Sequence, residues 1–591
     1  MLKKILFFCL FIIVISCTKN ENKSFESLIH TDIEEKIDTL NLALNELVKL
    51  KDTKKIKISF FNSRNKYKKI EPFVEYYFQG LARRINGPAL PEIKTDDNIV
   101  NEASGYQVIE EIICNDSIDY IKLTKEVNIL KTDLNFIKQT FKDLPVQNHH
   151  FYELIQHQII RIATLGITGF DSPVAFNSIS EAQYSIIGIV DYYTMYGNTN
   201  QKKHNQNFIY IANNAIKYLI QNPKFDSFNR LVFIKNYLMP LSVALENDFK
   251  LVIYKTPHFT ENKVFYGHLA DLMQGKKINP DAFSPYAESK STKQKKTLGK
   301  VLFNNKSLSL NNTLSCASCH HADNAFTDGN VTSGINVHSN SVMRNSPTLL
   351  YSSFQKSYFF DLRSQDLENQ IESVMKNPDE FNLSPKEINN RLLKNNEIMQ
   401  MFKNAYPNKK EITPYEVRNA IASYVRSLMP FSSKIDKYFQ NKAILTAAEI
   451  NGFNIFTGKG KCASCHFIPL YNGTVPPWFN NTESEVIGVP KSVAWKNAVV
   501  DTDEGRYNVN QIEELKFSFK TPTVRNIEKT APYMHNGIYT TLVDVIKFYE
   551  LGGGNGIGMK LKHQTLPFDN LKLSVSEKSN IISFLKTLTD E

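Results

Sequence analysis

The sequence lacks a partner for its one unassigned thiol. Seven cysteines occur in 591 residues. Cys9 sits inside an N-terminal apolar run, Cys17 closes that run, and four others form two copies of one pentapeptide, which leaves Cys114 alone. A disulfide framework of the kind that staples small exported domains is therefore excluded, and Cys114 reads as a small buried apolar residue. The sequence also lacks any concentration of basic charge. Its 70 lysines and arginines outnumber 60 acidic residues, for a formal net charge of +10, but they are scattered along the chain, so no nucleic acid is expected as a partner. An acidic redox protein or a negatively charged membrane surface suits that charge better. Past the N-terminus there is no run apolar enough to span a bilayer.

What is present begins with an address. The stretch MLKKILFFCLFIIVISC has two lysines, an apolar core from Ile5 to Ile15 and then Ser16-Cys17, the pattern of a signal peptide. The core is too short to cross a membrane as a helix. Val14 to Cys17 resembles a bacterial lipobox, which implies lipidation of Cys17 and a membrane contact through the lipid. Residues 1–16 are expected to be a lipoprotein signal peptide and 17–25, with its polar TKNENKS, a tether. The expected location is the cell envelope, as a periplasm-facing or outer-membrane lipoprotein.

The expected fold is mainly α: a helical N-terminal domain followed by two cytochrome c-like haem domains. In DIEEKIDTLNLALNELVKL, isoleucines and leucines recur every three or four residues, as on one face of an amphipathic helix, and QNFIYIANNAIKYLIQN and RLVFIKNYLMPLSVALENDF behave similarly. These place a helical domain over 26–280. SPYAESKSTKQKKTLGK is polar and nearly free of apolar residues, which reads as a linker over 281–296. Beyond it, short helices alternate with loops rich in Gly, Asn and Pro, read as a first haem domain over 297–440 and a second over 441–591.

Those two units rest on the pentapeptide CASCH, found at Cys316–His320 and again at Cys462–His466. Cys-x-x-Cys-His is the attachment signal of a c-type haem. Two thiols add to the porphyrin vinyl groups, and the adjacent histidine is placed under the iron as proximal ligand. Cys316, Cys319 and His320 are thus expected to hold one haem, and Cys462, Cys465 and His466 another. A zinc site built from all four cysteines is the rival, but such CxxC pairs stand roughly 15–20 residues apart, whereas here far more chain intervenes.

Around the two motifs, LGKVLFNNKSLSLNNTLSCASCHHADNAFTDG, RNSPTLLYSSF, FFDLRSQDLENQI, NPDEF, FKTPTVRNIEKTAPYMHNGIYTTLVDVIKFYELGGG and LSVSEKSNIISFLKTLT resemble the di-haem cytochrome c peroxidase family, which includes the MauG-type branch. The resemblance runs from about Thr297 to the C-terminus. It implies hydrogen peroxide as substrate, a small redox protein as electron donor, a peroxide-cleaving first haem and a second haem that relays electrons. It also implies catalytic roles for Gln370 and Glu380. Gln370 is read as ending a helical stretch that Asn377-Pro378 breaks, so that Glu380 folds back to move a proton between the peroxide oxygens while Gln370 holds the peroxide. Asn345, Thr530 and Pro532 match a calcium site between the haem domains, with hard oxygen ligands.

For the sixth ligand of the second haem, the helix-like TTLVDVIKFYELGGG presents Leu542, Val545, Ile546 and Tyr549 on one face. Tyrosine at the last position matches the MauG-type branch, where classical peroxidases have methionine. Met534 is the competing ligand, and a core aromatic is the third reading of Tyr549. Two departures stand out. Phe360 occupies the position between the haems where the family commonly has tryptophan, a far more oxidisable ring. His338 falls a few residues late for the distal histidine of the classical enzymes and reads as a loop residue, and His321 cannot reach the far face of its neighbour's haem. The leading functional reading is a peroxidase. MauG-like oxidation of a protein or organic substrate and a non-catalytic electron-transfer cytochrome are the alternatives. In the N-terminal half, GYQVIEEII faintly resembles imelysin-like domains, but Gln107 stands where their Gly-x-His-x-x-Glu motif has histidine, beside Gly105 and Glu110. A docking or scaffold module is expected there.

Overall fold

The computed structural model describes residues 24–199, 206–254, 263–332, 344–567 and 569–591; Cys17 and His338 lie outside the described residues. The first helix, Phe25–Lys49, starts where Ser24 Oγ accepts from the Ser27 N–H at 3.1 Å, a side-chain cap for an otherwise orphaned donor. Its Ile29, Ile33, Ile37, Leu40, Leu44 and Leu47 are all buried, the stripe the spacing predicts. It packs against Thr53–Tyr77 and Tyr120–Phe141. Asn148–Thr164, Ser178–Thr199, Gln206–Gln221 and Met239–Tyr254 complete the helical body. The last follows Arg230–Phe233 directly through one π-helical turn, Ile234–Leu238.

Strands are few. Glu92–Lys94 and Ile99–Asn101 form a small antiparallel hairpin that the helical reading of this half did not anticipate. In the C-terminal half, Ser484–Val486 pairs antiparallel with Ser518–Lys520, Ser484 opposite Lys520 and Val486 opposite Ser518.

The polar stretch 281–296 is packed rather than free. Ser289 is fully buried and its carbonyl accepts from Asn419 Nδ2 at 2.8 Å. Lys295 drives its ammonium onto the carbonyls of Glu288 and Lys290. The helix Lys293–Phe303 begins inside it. Low apolar content misleads here because the segment docks through hydrogen bonds.

Two helix crossings repeat in the C-terminal half. Lys293–Phe303 packs on Pro414–Arg426 ahead of and behind the first CASCH, and Ala447–Phe456 packs on Val575–Lys586 around the second. Each crossing is close because a glycine sits at the contact. A Cβ on Gly299 would lie 1.9 Å from the Ala420 carbonyl oxygen, and one on Gly452 1.9 Å from that of Asn580. Gly452→Ala is therefore expected to force the helices apart and lower the denaturation midpoint of the haem-bound protein, by roughly 1–3 kcal/mol of overpacking strain. An unchanged midpoint would show that the crossing adapts at no cost.

The helical half is bound to the C-terminal half by specific contacts. Arg83 pairs with Glu483 at 3.0 Å, Trp478 Nε1 donates to the Glu75 carbonyl at 3.2 Å, and Lys235 Nζ donates to the Tyr438 carbonyl at 2.7 Å.

Candidate haem and peroxide site

Both CASCH segments start as one turn of 3-10 helix, Cys316–Ser318 and Cys462–Ser464, and in each the histidine N–H closes onto the carbonyl of the first cysteine, at 3.0 and 2.9 Å. The turn brings both thiols and the imidazole of a motif to one side. All four cysteines are free. Burial pushes the thiols of Cys316 and Cys462 up to about 12. Among the described residues no three of these groups converge on one point, so the zinc rival fails on geometry.

The histidines carry the clearest sign of what the site accepts. His320 Nδ1 lies 2.9 Å from the Phe326 carbonyl, and His466 Nδ1 lies 3.0 Å from that of Pro522. A carbonyl only accepts, so Nδ1 bears the proton and donates, and Nε2 is left as the lone-pair nitrogen. That is the arrangement of a metal-ligating histidine oriented by a backbone partner. Burial pushes His466 down to about 4 and lowers His320 as well, keeping both neutral as ligands must be. A cavity of about 2450 Å³ opens against Cys462, Cys465 and His466. Two vinyl-reactive thiols and a neutral imidazole fit a covalently held haem at each motif, with the cavity giving it room at the second, and acid-acetone extraction of denatured protein is expected to leave two haems on the chain by mass. Recovery of one haem or none on the chain would contradict this.

At the first motif, Asp366 caps the helix Leu367–Lys376 and Asn377 ends it. Gln370 therefore lies in the helix's first turn, half-buried, and not at its end as the sequence suggested; the helix runs on to Lys376 because no breaker precedes Pro378. The return after Asn377-Pro378 is as expected. Glu380 N–H donates to the Asn377 carbonyl at 3.1 Å, and Leu383 N–H to that of Met375 at 2.9 Å, which folds the chain back along the helix. Asn377 Nδ2 donates to Glu380 Oε1 at 2.7 Å. Burial raises the Glu380 carboxyl, opposed by that hydrogen bond and by Arg363. Its charge in turn helps to raise both Cys316 and Cys319, so the carboxyl acts electrostatically on the first attachment site.

At the second motif, Leu542, Val545, Ile546 and Tyr549 of the helix Leu542–Glu550 all face the cavity. Burial raises the Tyr549 phenol, as do the neighbouring Cys465, Cys462 and Glu485. Met534, held at φ +74°, borders the same cavity, as do Phe360, Asn345, Thr530 and Pro532. Asn345 is fixed by its N–H to the His535 carbonyl at 2.7 Å and by Nδ2 to the Asn330 carbonyl at 2.6 Å.

Sequence reasoning missed the wall that the N-terminal half adds. Phe170 packs on Phe467, the residue after His466, at 5.9 Å between centroids. Gln107 Nε2 donates to the Phe170 carbonyl at 2.8 Å and to that of Asn86 at 3.1 Å. Glu110 accepts from Ser172 Oγ at 2.5 Å and from the Ala175 N–H at 2.9 Å. Gly105 is required at φ +98°, where a Cβ would lie 2.2 Å from the Arg84 carbonyl oxygen. The Gly105-x-Gln107-x-x-Glu110 segment thus props the cavity wall, and its amide is spent on carbonyls. Glutamine in place of histidine was the signal.

A family profile described as di-haem cytochrome c peroxidase matches residues 293–443. The chain is 32% identical over 311 residues to cytochrome-c peroxidase IdrP2 of Denitromonas iodatirespirans, covering 50% of this chain and 81% of the relative. It is 32% identical to cytochrome c551 peroxidase of Nitrosomonas europaea, covering 50% and 79%, and 28% identical to methylamine utilization protein MauG of Methylorubrum extorquens, covering 51% and 79%. Among solved structures, a MauG-like protein associated with microbial copper homeostasis aligns with a TM-score of 0.46 at 29% identity, covering 52% of this chain and 92% of that one.

Proposed function

The chain belongs to the di-haem cytochrome c peroxidase family, and from that premise we propose that it reduces hydrogen peroxide to water with electrons from a small redox protein. The observation that carries the reading is the half-buried Glu380, folded back by the Asn377 turn and near enough to Cys316 and Cys319 for its charge to act on both thiols. Each peroxide takes two electrons and two protons and becomes two waters. The haems, when bound, supply the electron-transfer chemistry. Glu380 moves a proton from the inner to the outer peroxide oxygen, a carboxylate task of general acid–base catalysis. Gln370 orients the peroxide through its amide. Asn377 Nδ2 positions the carboxylate, and burial raises its affinity for a proton. Steady-state peroxide consumption by the two-haem protein, with a reduced small cytochrome as donor, tests the reading. Turnover at the level of free haem would leave an electron-transfer cytochrome instead.

Asn345, Thr530 and Pro532, which border one cavity, are assigned to calcium in this reading, and Cys17 to the lipid. The proposed layout is a helical scaffold over 26–280, a peroxidatic haem domain over 297–440 and a relay domain over 441–591, tethered in the cell envelope by lipid. No helix among the described residues is long and apolar enough to cross a membrane.

A second reading, oxidation of a protein or organic substrate in the manner of the MauG-type branch, is favoured by the Tyr549 phenol facing the second attachment site. Phe360 weighs against it, because a phenyl ring between the haems is a poor carrier of oxidising equivalents.

A further inference from the structure

Among the described residues, two cations on the cavity wall make no ion pair, although Glu483, Asp361 and Asp96 act on Arg506 at longer range. Lys520 is 9% exposed and its Nζ donates to the neutral Gln355 Oε1 at 2.6 Å; burial alone pushes it down to about 8. Arg506, half-buried, donates from Nη1 to Ser484 Oγ at 3.2 Å, and its Nε has no partner. Both are tied to the same small sheet: Lys520 ends its second strand, and the Arg506 N–H donates to the carbonyl of Ser518 at 2.9 Å. Elsewhere the fold treats buried cations differently. Arg525 is met by Asp436 and Arg426 by Glu368, while Arg230, in no ion pair among the described residues, is wrapped by three backbone carbonyls.

A buried cation left unpaired is costly, and the cost is removed only by an anion with matching geometry. Both side chains border the cavity onto which Cys462, Cys465 and His466 open. A porphyrin attached there brings two carboxylates into that space. We propose that Lys520 and Arg506 bind the carboxylates of the second haem, Lys520 as a point charge and Arg506 through its planar fork of donors. The inference rests on the second motif carrying haem. The Lys520 N–H donates to the Phe360 carbonyl at 2.7 Å, so the anchor of the haem edge and the backbone of Phe360 form one hydrogen-bonded element.

Spectropotentiometry of the two-haem protein tests this independently of peroxide turnover. Removing a positive charge beside the porphyrin disfavours the electron-rich reduced state. Lys520→Met and Arg506→Gln are each expected to lower the midpoint of the second haem, by up to about tenfold in the reduced-to-oxidised ratio at fixed applied potential, or 59 mV for a one-electron couple. The first haem should hold its midpoint, and Lys520→Arg should restore the second. Loss of the second haem in Lys520→Met but not in Lys520→Arg would also support the assignment. Two bound haems with both midpoints unmoved in Lys520→Met and Arg506→Gln would overturn it. A wild-type chain with one haem would remove the premise instead.

Discussion

Replacing Glu380 with glutamine is expected to lower peroxide turnover by about 10²–10⁴-fold, the usual worth of a positioned acid–base group, while both haem spectra stay nearly as they are in the unaltered protein. The substitution keeps the size of the side chain and its capacity to bond Asn377 Nδ2, so the turn that ends the helix Leu367–Lys376 stays in place. What is lost is the ability to take a proton at one peroxide oxygen and return it at the other. The shape of the site predicts that binding suffers less than turnover: Gln370 remains on its helix, and Asp366 still caps that helix through the Asn369 N–H at 2.7 Å. The check is steady-state turnover against peroxide concentration, with haem content and spectra measured on the same sample. A drop smaller than about threefold, far below the acid–base range, would reassign Glu380 to structure.

The second large effect is expected at Tyr549. A phenolate ligand favours oxidised iron, and methionine favours reduced iron. Tyr549→Met is therefore expected to raise the potential of the second haem on the order of 0.1 V, a fraction of the roughly 0.8 V over which axial ligands tune haems. Its behaviour should move towards a peroxidase that needs reduction before it accepts peroxide. Tyr549→Phe should leave the iron without that ligand or recruit Met534, which borders the same cavity. Burial raises the phenol. Potentiometric titration and visible spectra of both variants settle the ligand. A wild-type spectrum and potential in each would make Tyr549 a packing residue and Met534 the residue to replace.

Much of the site was legible because its chemistry is local in sequence. Cys-x-x-Cys-His sets two thiols and an imidazole on one turn, and the i, i+3, i+4, i+7 face of Leu542, Val545, Ile546 and Tyr549 is fixed by helical period. The break at Asn377-Pro378 was legible for the same reason. The position of Gln370 was misread because a stop signal says where a helix ends and not where it begins; the cap at Asp366 decided that. The packing of 281–296 was hidden because its anchors, Ser289 onto Asn419 and the Lys295 ammonium onto two carbonyls, are polar and leave no hydrophobic signature. The cavity wall from Phe170 and the unanswered Lys520 were beyond reach of the sequence, since both depend on contacts between residues hundreds of positions apart or on the absence of a partner in space. In the N-terminal half the amphipathic stripes were plain, while the short hairpin at Glu92–Asn101 was not, having too few residues for its alternation to register.

The central claim is that this chain passes two electrons from a donor to one peroxide through Glu380-assisted cleavage at the first haem. It is tested most directly by adding a single equivalent of hydrogen peroxide to the two-haem protein in the presence of a reduced small cytochrome and counting donor oxidation. The account predicts two donor molecules oxidised for each peroxide consumed, and almost none on the same timescale with Glu380→Gln. Donor that stays reduced while peroxide persists in the wild-type sample, or equal donor oxidation with and without the Glu380 carboxylate, would contradict it.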